Sequence, residues 1–344
     1  MGEKGRTHGC WMNFMLRPSN LGATAAPCPP PAGLAPCCVL SSSFISHSER
    51  AASESGRALP GEAWAESEAK MAKDFSQSRI AVLGAGKLGS ILVRALVEKH
   101  RISPERLRAT VAHESRARDL SQKLGVKVIT DNAAAVEGAD LLLVCVKPQV
   151  VLELMEDISH KVSSHQLIIS VAASVPTSQI ENALGEGVPV VRAMPNTPCL
   201  LGQGMTALST GQYAKAEHIE AAAALFNAVG RTVVVDEKHM DAVTGLSASG
   251  PAYIYIILES LAEAGVKVGL PRDIATLLAA QTALGAATVV LETGDHPALL
   301  KDAVTTPAGC TIDGIMELEE GKLRVTLIKA VVKAAQRAKE LALG

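Results

Sequence analysis

The chain has no surplus of either charge: 33 basic side chains stand against 35 acidic ones, for a net charge of −2. That balance leaves no basic excess for gripping nucleic acid through its phosphates or for an anionic membrane face, so neither is an expected partner. Aromatic residues make up only 3% of the 344 positions, and no tryptophan occurs after residue 70. Cysteines beyond that point are few, Cys145, Cys199 and Cys310. They are odd in number and far apart, which excludes a paired zinc knuckle and fits a reduced compartment. The nine histidines show no H-E-x-x-H and no His/Cys ligand spacing, and no G-x-S-x-G elbow occurs. Zinc hydrolysis and serine-elbow hydrolysis are therefore unsupported, and no metal is expected. One uncharged run calls for a membrane check: residues 274–291 contain Thr276, Gln281, Thr282, Gly285 and Thr288 among many alanines, too few bulky groups to favour lipid. A helix apolar on all sides in such a chain is expected to be buried, often in a subunit interface.

What is present divides sharply. Residues 1–70 hold both tryptophans (Trp11, Trp64) and four of the seven cysteines, and they are rich in Ala, Ser and Pro. They show neither helical nor strand periodicity, so residues 1–77 read as a disordered extension. Pro18, Pro27, Pro29 and Pro36 interrupt every candidate secretory core. Lys4, Arg6 and Arg17 against the single acid Glu3 leave organelle import as the lesser alternative to a cytoplasmic location, because Met71 opens a stretch that looks like a natural start.

From Arg79 onward short apolar runs alternate with amphipathic stretches. Residues 80–83, 107–111, 126–129, 140–146, 167–172 and 188–194 read as strands, with helical spacing over 87–99, 115–124, 149–158 and 177–184. Such alternation implies right-handed crossovers and a parallel sheet. Residues 204–209 and 231–236 are expected to complete it. After Asp236 the strand signals stop and the pattern is helical, broken at 269–271, 294–297 and 305–309. The fold class is α/β, a Rossmann-type parallel-sheet domain over 78–236 followed by an all-helical domain over 237–344. The many small and aliphatic residues of the helical part call for a second copy to bury them.

Gly84-Ala85-Gly86-Lys87-Leu88-Gly89 fits G-x-G-x-x-G directly after the strand 80–83 and opens a helix. In that context Gly84 makes the tight turn, Gly86 lets a pyrophosphate approach the backbone, and Gly89 lets the helix pack closely. The second strand ends at Ala112 and His113 with no acid for a ribose 2′-hydroxyl, and Arg116 and Arg118 follow, which favours NADPH over NADH. Lys147-Pro148 follows the strand 140–146 at the carboxyl edge of the sheet, where ligands lie in such folds. The stretch Met194-Pro195-Asn196-Thr197-Pro198 sits likewise, and Asn196 offers an amide where a nicotinamide could lie. In the helical part, Ser249 or Gly250 is expected to cap a helix begun by Pro251. Thr305 to Thr311 precedes a short helix over 312–318, whose bare amides would suit a small carboxylate. A hydroxy-acid dehydrogenase needs a positioned base that these motifs lack, whereas reduction of a protonated imine requires mainly orientation.

Together these segments resemble the pyrroline-5-carboxylate reductase family. The resemblance rests on GAGKLG, VKP at 146–148, MPNTP at 194–198, DAVTGLSASGPAY at 241–253, VKVGLP at 266–271 and HPALLKDAVTTPAGCTIDGIMELE at 296–319, in unbroken order. It implies reduction of 1-pyrroline-5-carboxylate to L-proline, the last step of proline biosynthesis, with NADPH or less commonly NADH. It implies also a helical domain that pairs two chains, as a homodimer or a ring of dimers. Carried over residue by residue, Gly84, Gly86, Lys87, Leu88 and Gly89 would hold the pyrophosphate, while Arg116, Asn132, Val146, Lys147, Pro148, Ala172 and Asn196 would line the cofactor. Thr306, Ala308, Gly309, Cys310 and Thr311 would bind the substrate carboxylate, joined by Ser249, with the Thr311 hydroxyl as the catalytic group near the ring nitrogen. Two departures stand out: Ala308 and Ser174 occupy positions where the family often has glycine. The alternatives are a non-catalytic NADP(H)-binding redox sensor and a reductase of another cyclic imine or of a 2-hydroxy acid.

Overall fold

The structure, a computed structural model, describes residues 75–343. The expected disordered extension therefore lies outside the described residues apart from its last three. Of those, Phe75 is buried and meets the His100 ring edge-on at 5.2 Å.

Eight strands form one sheet: β1 (Ile80–Leu83), β2 (Leu107–Thr110), β3 (Lys127–Ile129), β4 (Leu141–Val144), β5 (Leu167–Ser170), β6 (Val190–Met194), β7 (Gly204–Thr210) and β8 (Gly230–Val234). Their order is β3-β2-β1-β4-β5-β6-β7-β8. Helices α1 (Lys87–Glu98), α2 (Glu114–Leu124), α3 (Asn132–Val136), α4 (Val151–Ile158), α5 (Thr177–Leu184) and α6 (Ala216–Asn227) cover its faces. The central strands are continuous apolar runs because both faces are buried. In β1, Ile80 and Val82 enter one core while Ala81 and Leu83 enter the other.

Strands β1 to β6 pair in parallel, as the sequence pattern implies, but β7 runs antiparallel to β6. The connection between them, residues 195–203, holds only a 3₁₀ turn at Thr197–Leu201. A parallel return needs a crossover of about a dozen residues or more, so this link can only reverse the chain. The order reverses between β1 and β4, which opens the crevice at their carboxyl ends where ligands lie in doubly wound sheets.

The remainder is helical: α7 (Met240–Val243), a π-helical turn (Thr244–Ala248), α8 (Gly250–Lys267), α9 (Arg272–Thr293), α10 (Pro297–Ala303), α11 (Cys310–Glu320) and α12 (Leu323–Leu343). The expected capped start at Ser249 or Gly250 does not occur. Ser249 has helical dihedrals, its side chain makes no cap bond, and its N–H reaches back to Thr244 O at 3.0 Å. The wider turn carries the chain past Pro251 without a break. At Gly245 the turn touches α12 so closely that a Cβ would lie 2.8 Å from Ala335 N and Val331 O. Helix α9 is not buried within one chain. Only Ala275 and Ala279 are covered, and Ala275 faces Gly265 of α8.

Candidate active site

The glycine loop is built to leave room for a ligand on one side only. Gly84 has φ of +94°, and a Cβ there would press on Val146 at 2.8 Å. At Gly89 a Cβ would lie 2.3 Å from Gly84 O, whereas at Gly86 nothing lies within 4 Å. Thr110 at the end of β2 fixes the turn, since its Oγ1 accepts from Gly84 N at 3.2 Å and its carbonyl from Ala85 N at 2.7 Å. Gly86 is the N-cap of α1 and brings no side-chain cap, and the first turn holds no acid. The first-turn amides of Lys87 and Leu88 therefore present an uncompensated positive helix end beside the open face of Gly86, the arrangement that receives a diphosphate.

A cavity of about 340 Å³ continues from this loop, lined by Gly84, Thr110, Ala112, Asn132, Val146 and Asp157 among others. It brings together three residues singled out in the sequence, Gly84, Asn132 and Val146. Asn132 stands at the first position of α3, whose Asp131 caps Ala134 N at 2.9 Å. Thr110 was not legible as a site residue; a buried threonine at a strand end beside a glycine loop is the signal that marks it. Glu114, the acid nearest the β2 tip, is engaged by Thr130 Oγ1 at 2.8 Å. Arg116 in the first turn of α2 is exposed and makes no ion pair among the described residues.

Lys147 is exposed and forms the N-cap of the 3₁₀ turn Pro148–Val150 without a side-chain bond. Neighbouring Cys145 has its thiol pushed up to about 12 by burial, so it is no nucleophile at neutral pH. Ala172 is buried just after β5. Asn196 is hydrogen-bonded within the chain. Its Oδ1 accepts from Met205 N at 2.9 Å and its Nδ2 reaches Ser247 O at 3.4 Å. Pro251 has no N–H for the Ser247 carbonyl, and the Asn196 amide fills that vacancy. The side chain thus braces the loop after β6 against the π turn.

The 305–311 segment is a separate piece of the site. Thr305 bonds to Lys301 O and Asp302 O, and Gly309 N donates to Thr306 O at 3.1 Å. Ala308 has φ of +56°, a left-handed conformation that glycine adopts without strain, and Ser174 likewise has φ of +61°. Both departures from the family pattern thus fall on backbone that favours glycine. Gly309 is the N-cap of α11 without a side-chain cap, so the amides of Cys310 and Thr311 begin the helix uncapped, with Asp313 the one acid in its first turn. Among the described residues no hydrogen bond joins this segment to the glycine loop.

Comparison with known proteins agrees with this layout. Residues 237–341 match the family model described as pyrroline-5-carboxylate reductase dimerisation, and residues 79–174 match that described as NADP oxidoreductase, coenzyme F420-dependent. Helix α9, long and apolar enough by length and composition to cross a membrane, lies inside the dimerisation match. The pyrroline-5-carboxylate reductase of Methanosarcina acetivorans is 45% identical over 78% of this chain and 99% of its own length. That of Arabidopsis thaliana is 42% identical over 76% of this chain and 95% of its own. Among solved structures, a pyrroline-5-carboxylate reductase from Coxiella burnetii superposes with a TM-score of 0.71 at 35% identity, covering 77% of this chain and 98% of that one. A Plasmodium falciparum pyrroline carboxylate reductase with NADP bound gives 0.70 at 27% identity, covering 78% and 99%. The chain therefore belongs to the pyrroline-5-carboxylate reductase family.

Proposed function

We infer that this chain reduces 1-pyrroline-5-carboxylate to L-proline with NADPH, as the last step of proline biosynthesis. The observation that carries the reading is the glycine cradle at the β1/β4 crevice, within a chain that aligns along 99% of a reductase from Methanosarcina acetivorans. The dinucleotide supplies a hydride to the carbon of the C=N bond. The residues of the chain do the rest. Gly84, Gly86 and Gly89 with the amides of Lys87 and Leu88 hold the diphosphate, Arg116 meets the 2′-phosphate, and Asn132, Val146, Lys147, Pro148 and Ala172 line the cleft. The backbone of Ala308, Gly309 and Cys310, with Thr306, seats the substrate carboxylate at the positive end of α11. The Thr311 hydroxyl holds the ring nitrogen and its proton, and Ser249 borders the substrate. The division falls at residues 236 and 237, and the protein acts as a homodimer or a ring of dimers, in the cytoplasm.

The test follows NADPH absorbance after 1-pyrroline-5-carboxylate is added to the full chain, with NADH run in parallel. Proline formation is expected, and a folded, NADPH-binding chain that forms none overturns the reading. Thr311→Ala is expected to lower turnover about 100-fold, within the range for one positioned acid–base group, while NADPH binding persists. Unchanged kinetics would remove Thr311 from the mechanism.

A further inference from the structure

The loop after β5, residues 171–176, is fastened from two sides by the helical part of the chain. From one side, Ser174 Oγ donates to Ala338 O of α12 at 2.9 Å, a buried bond. From the other, the fastening lies at the start of α5, where Pro176 occupies the N-cap position and has no side chain to cap with. The cap comes from Glu237. Its Oε1 accepts from Thr177 N at 2.8 Å and its Oε2 from Thr177 Oγ1 at 2.7 Å.

Glu237 answers a second demand at the same time. Arg192, in the middle of β6 between Ser170 and Ser209, is only 3% exposed. Its Nη1 lies 3.3 Å from Glu237 Oε1, and its Nε and Nη2 have no partner among the described residues. A buried guanidinium with one carboxylate and two idle nitrogens holds that carboxylate tightly, because losing it would strand a charge out of water. The other acid beside the cluster, Glu181, is drawn toward its neutral form chiefly by burial, and it accepts from Tyr213 N at 3.2 Å.

We propose that Glu237 is a positioning residue for the cofactor: anchored by Arg192, it caps α5 and so fixes the 171–176 loop beside the cofactor cleft. The proposal rests on the reductase reading for the placement of the cofactor beside Ala172, and on the hydrogen bonds above for the rest. It gives Arg192 a purpose that neither the cradle nor the carboxylate loop supplies, since its charge serves to hold Glu237 in one geometry.

The experiment uses the full chain with Glu237→Gln, which keeps the shape and removes the charge and one acceptor. Hydrogen exchange of the 171–176 amides is read without ligand, and NADPH affinity by fluorescence on binding. A roughly tenfold rise in both the exchange rate and the NADPH Kd is expected, as for a coupling residue that touches neither ligand, with KM for NADPH following and kcat nearly unchanged. Thr177→Val, which deletes only the Oγ1 donor, should shift both the same way by about threefold, and Thr177→Ser should restore them. That pair decides the matter if Glu237→Gln does not fold. Folded variants with unchanged exchange and unchanged NADPH Kd overturn the proposal, even where melting temperature falls. A wild-type chain that binds NADPH without reducing 1-pyrroline-5-carboxylate would overturn the reductase reading alone, because exchange and binding do not depend on turnover.

Discussion

Leu143 in β4 and Leu278 in α9 are the same residue in regular structure, yet one is fully buried and the other 51% exposed. The contrast holds across the two parts they belong to. In the sheet domain both faces are closed by helices of the same chain, and two cores form on either side of β1 and β4. In the helical part the buried apolar residues beyond Met240 are alanines, Ala262, Ala275, Ala279 and Ala338, while Ile256, Leu277, Leu284 and Leu299 stand open to solvent. Covering one such side chain is worth about 1.5–3 kcal/mol, so the helical part gains most from a second copy. Self-sufficient burial belongs to the half with the glycine loop, and burial by association to the half with the 305–311 segment.

The largest test of that contrast is Leu277→Asp combined with Leu284→Asp. Light scattering is expected to show dissociation toward monomers, with reductase activity falling at least about 100-fold, since each charge removes an apolar contact and adds a desolvation cost. An intact assembly would break the comparison. Next comes the cradle. Gly89→Ala forces a Cβ against Gly84 O and should lower stability by about 1–3 kcal/mol while abolishing tight NADPH binding. Gly86→Ala meets open space, so its melting temperature should hold while NADPH Kd rises at least about tenfold, because the methyl occupies ligand space. Equal melting shifts in the two variants would show that the loop is not built around a ligand.

Smaller effects separate the two left-handed residues. Ala308→Gly should gain about 0.5–1 kcal/mol, because relief of the strained conformation exceeds the added chain entropy. Ser174→Gly should gain nothing, since the same relief is offset by loss of its bond to Ala338 O. The comparison is read by thermal melts of the single variants. The smallest effect belongs to His100, which burial holds below its ordinary value although Leu225 O partly offsets this. Its unfolded form binds a proton more readily than its folded form, so stability falls as pH drops below about 6.5 and through the lowered folded value. His100→Gln should flatten that part of the melting curve against pH.

Much of this was legible beforehand. The alternation of apolar runs marks all eight strands, and α5 spans residues 177–184 as its spacing predicts. The glycine loop was readable because each glycine has a local backbone reason. Other features depend on residues distant in the chain. The reversal of β7 follows from the short 195–203 link, but its pairing with β6 needed the whole sheet. Asn196 looked free because its partners, Met205 and Ser247, meet it only after folding. Ser249 looked like a cap because proline statistics outweigh a π turn that only the packing of Gly245 on α12 makes favourable.

The sequence by itself determined where strands and helices lie, which loop has the glycines for a cradle and which family the chain resembles. These are local properties of hydrophobic period, backbone freedom and motif. The tertiary structure alone decided that Glu237 caps α5, that Arg192 is buried beside it, and that α9 leaves its leucines uncovered within one chain. Those are long-range pairings and burials, and no spacing along the chain encodes which distant groups will meet.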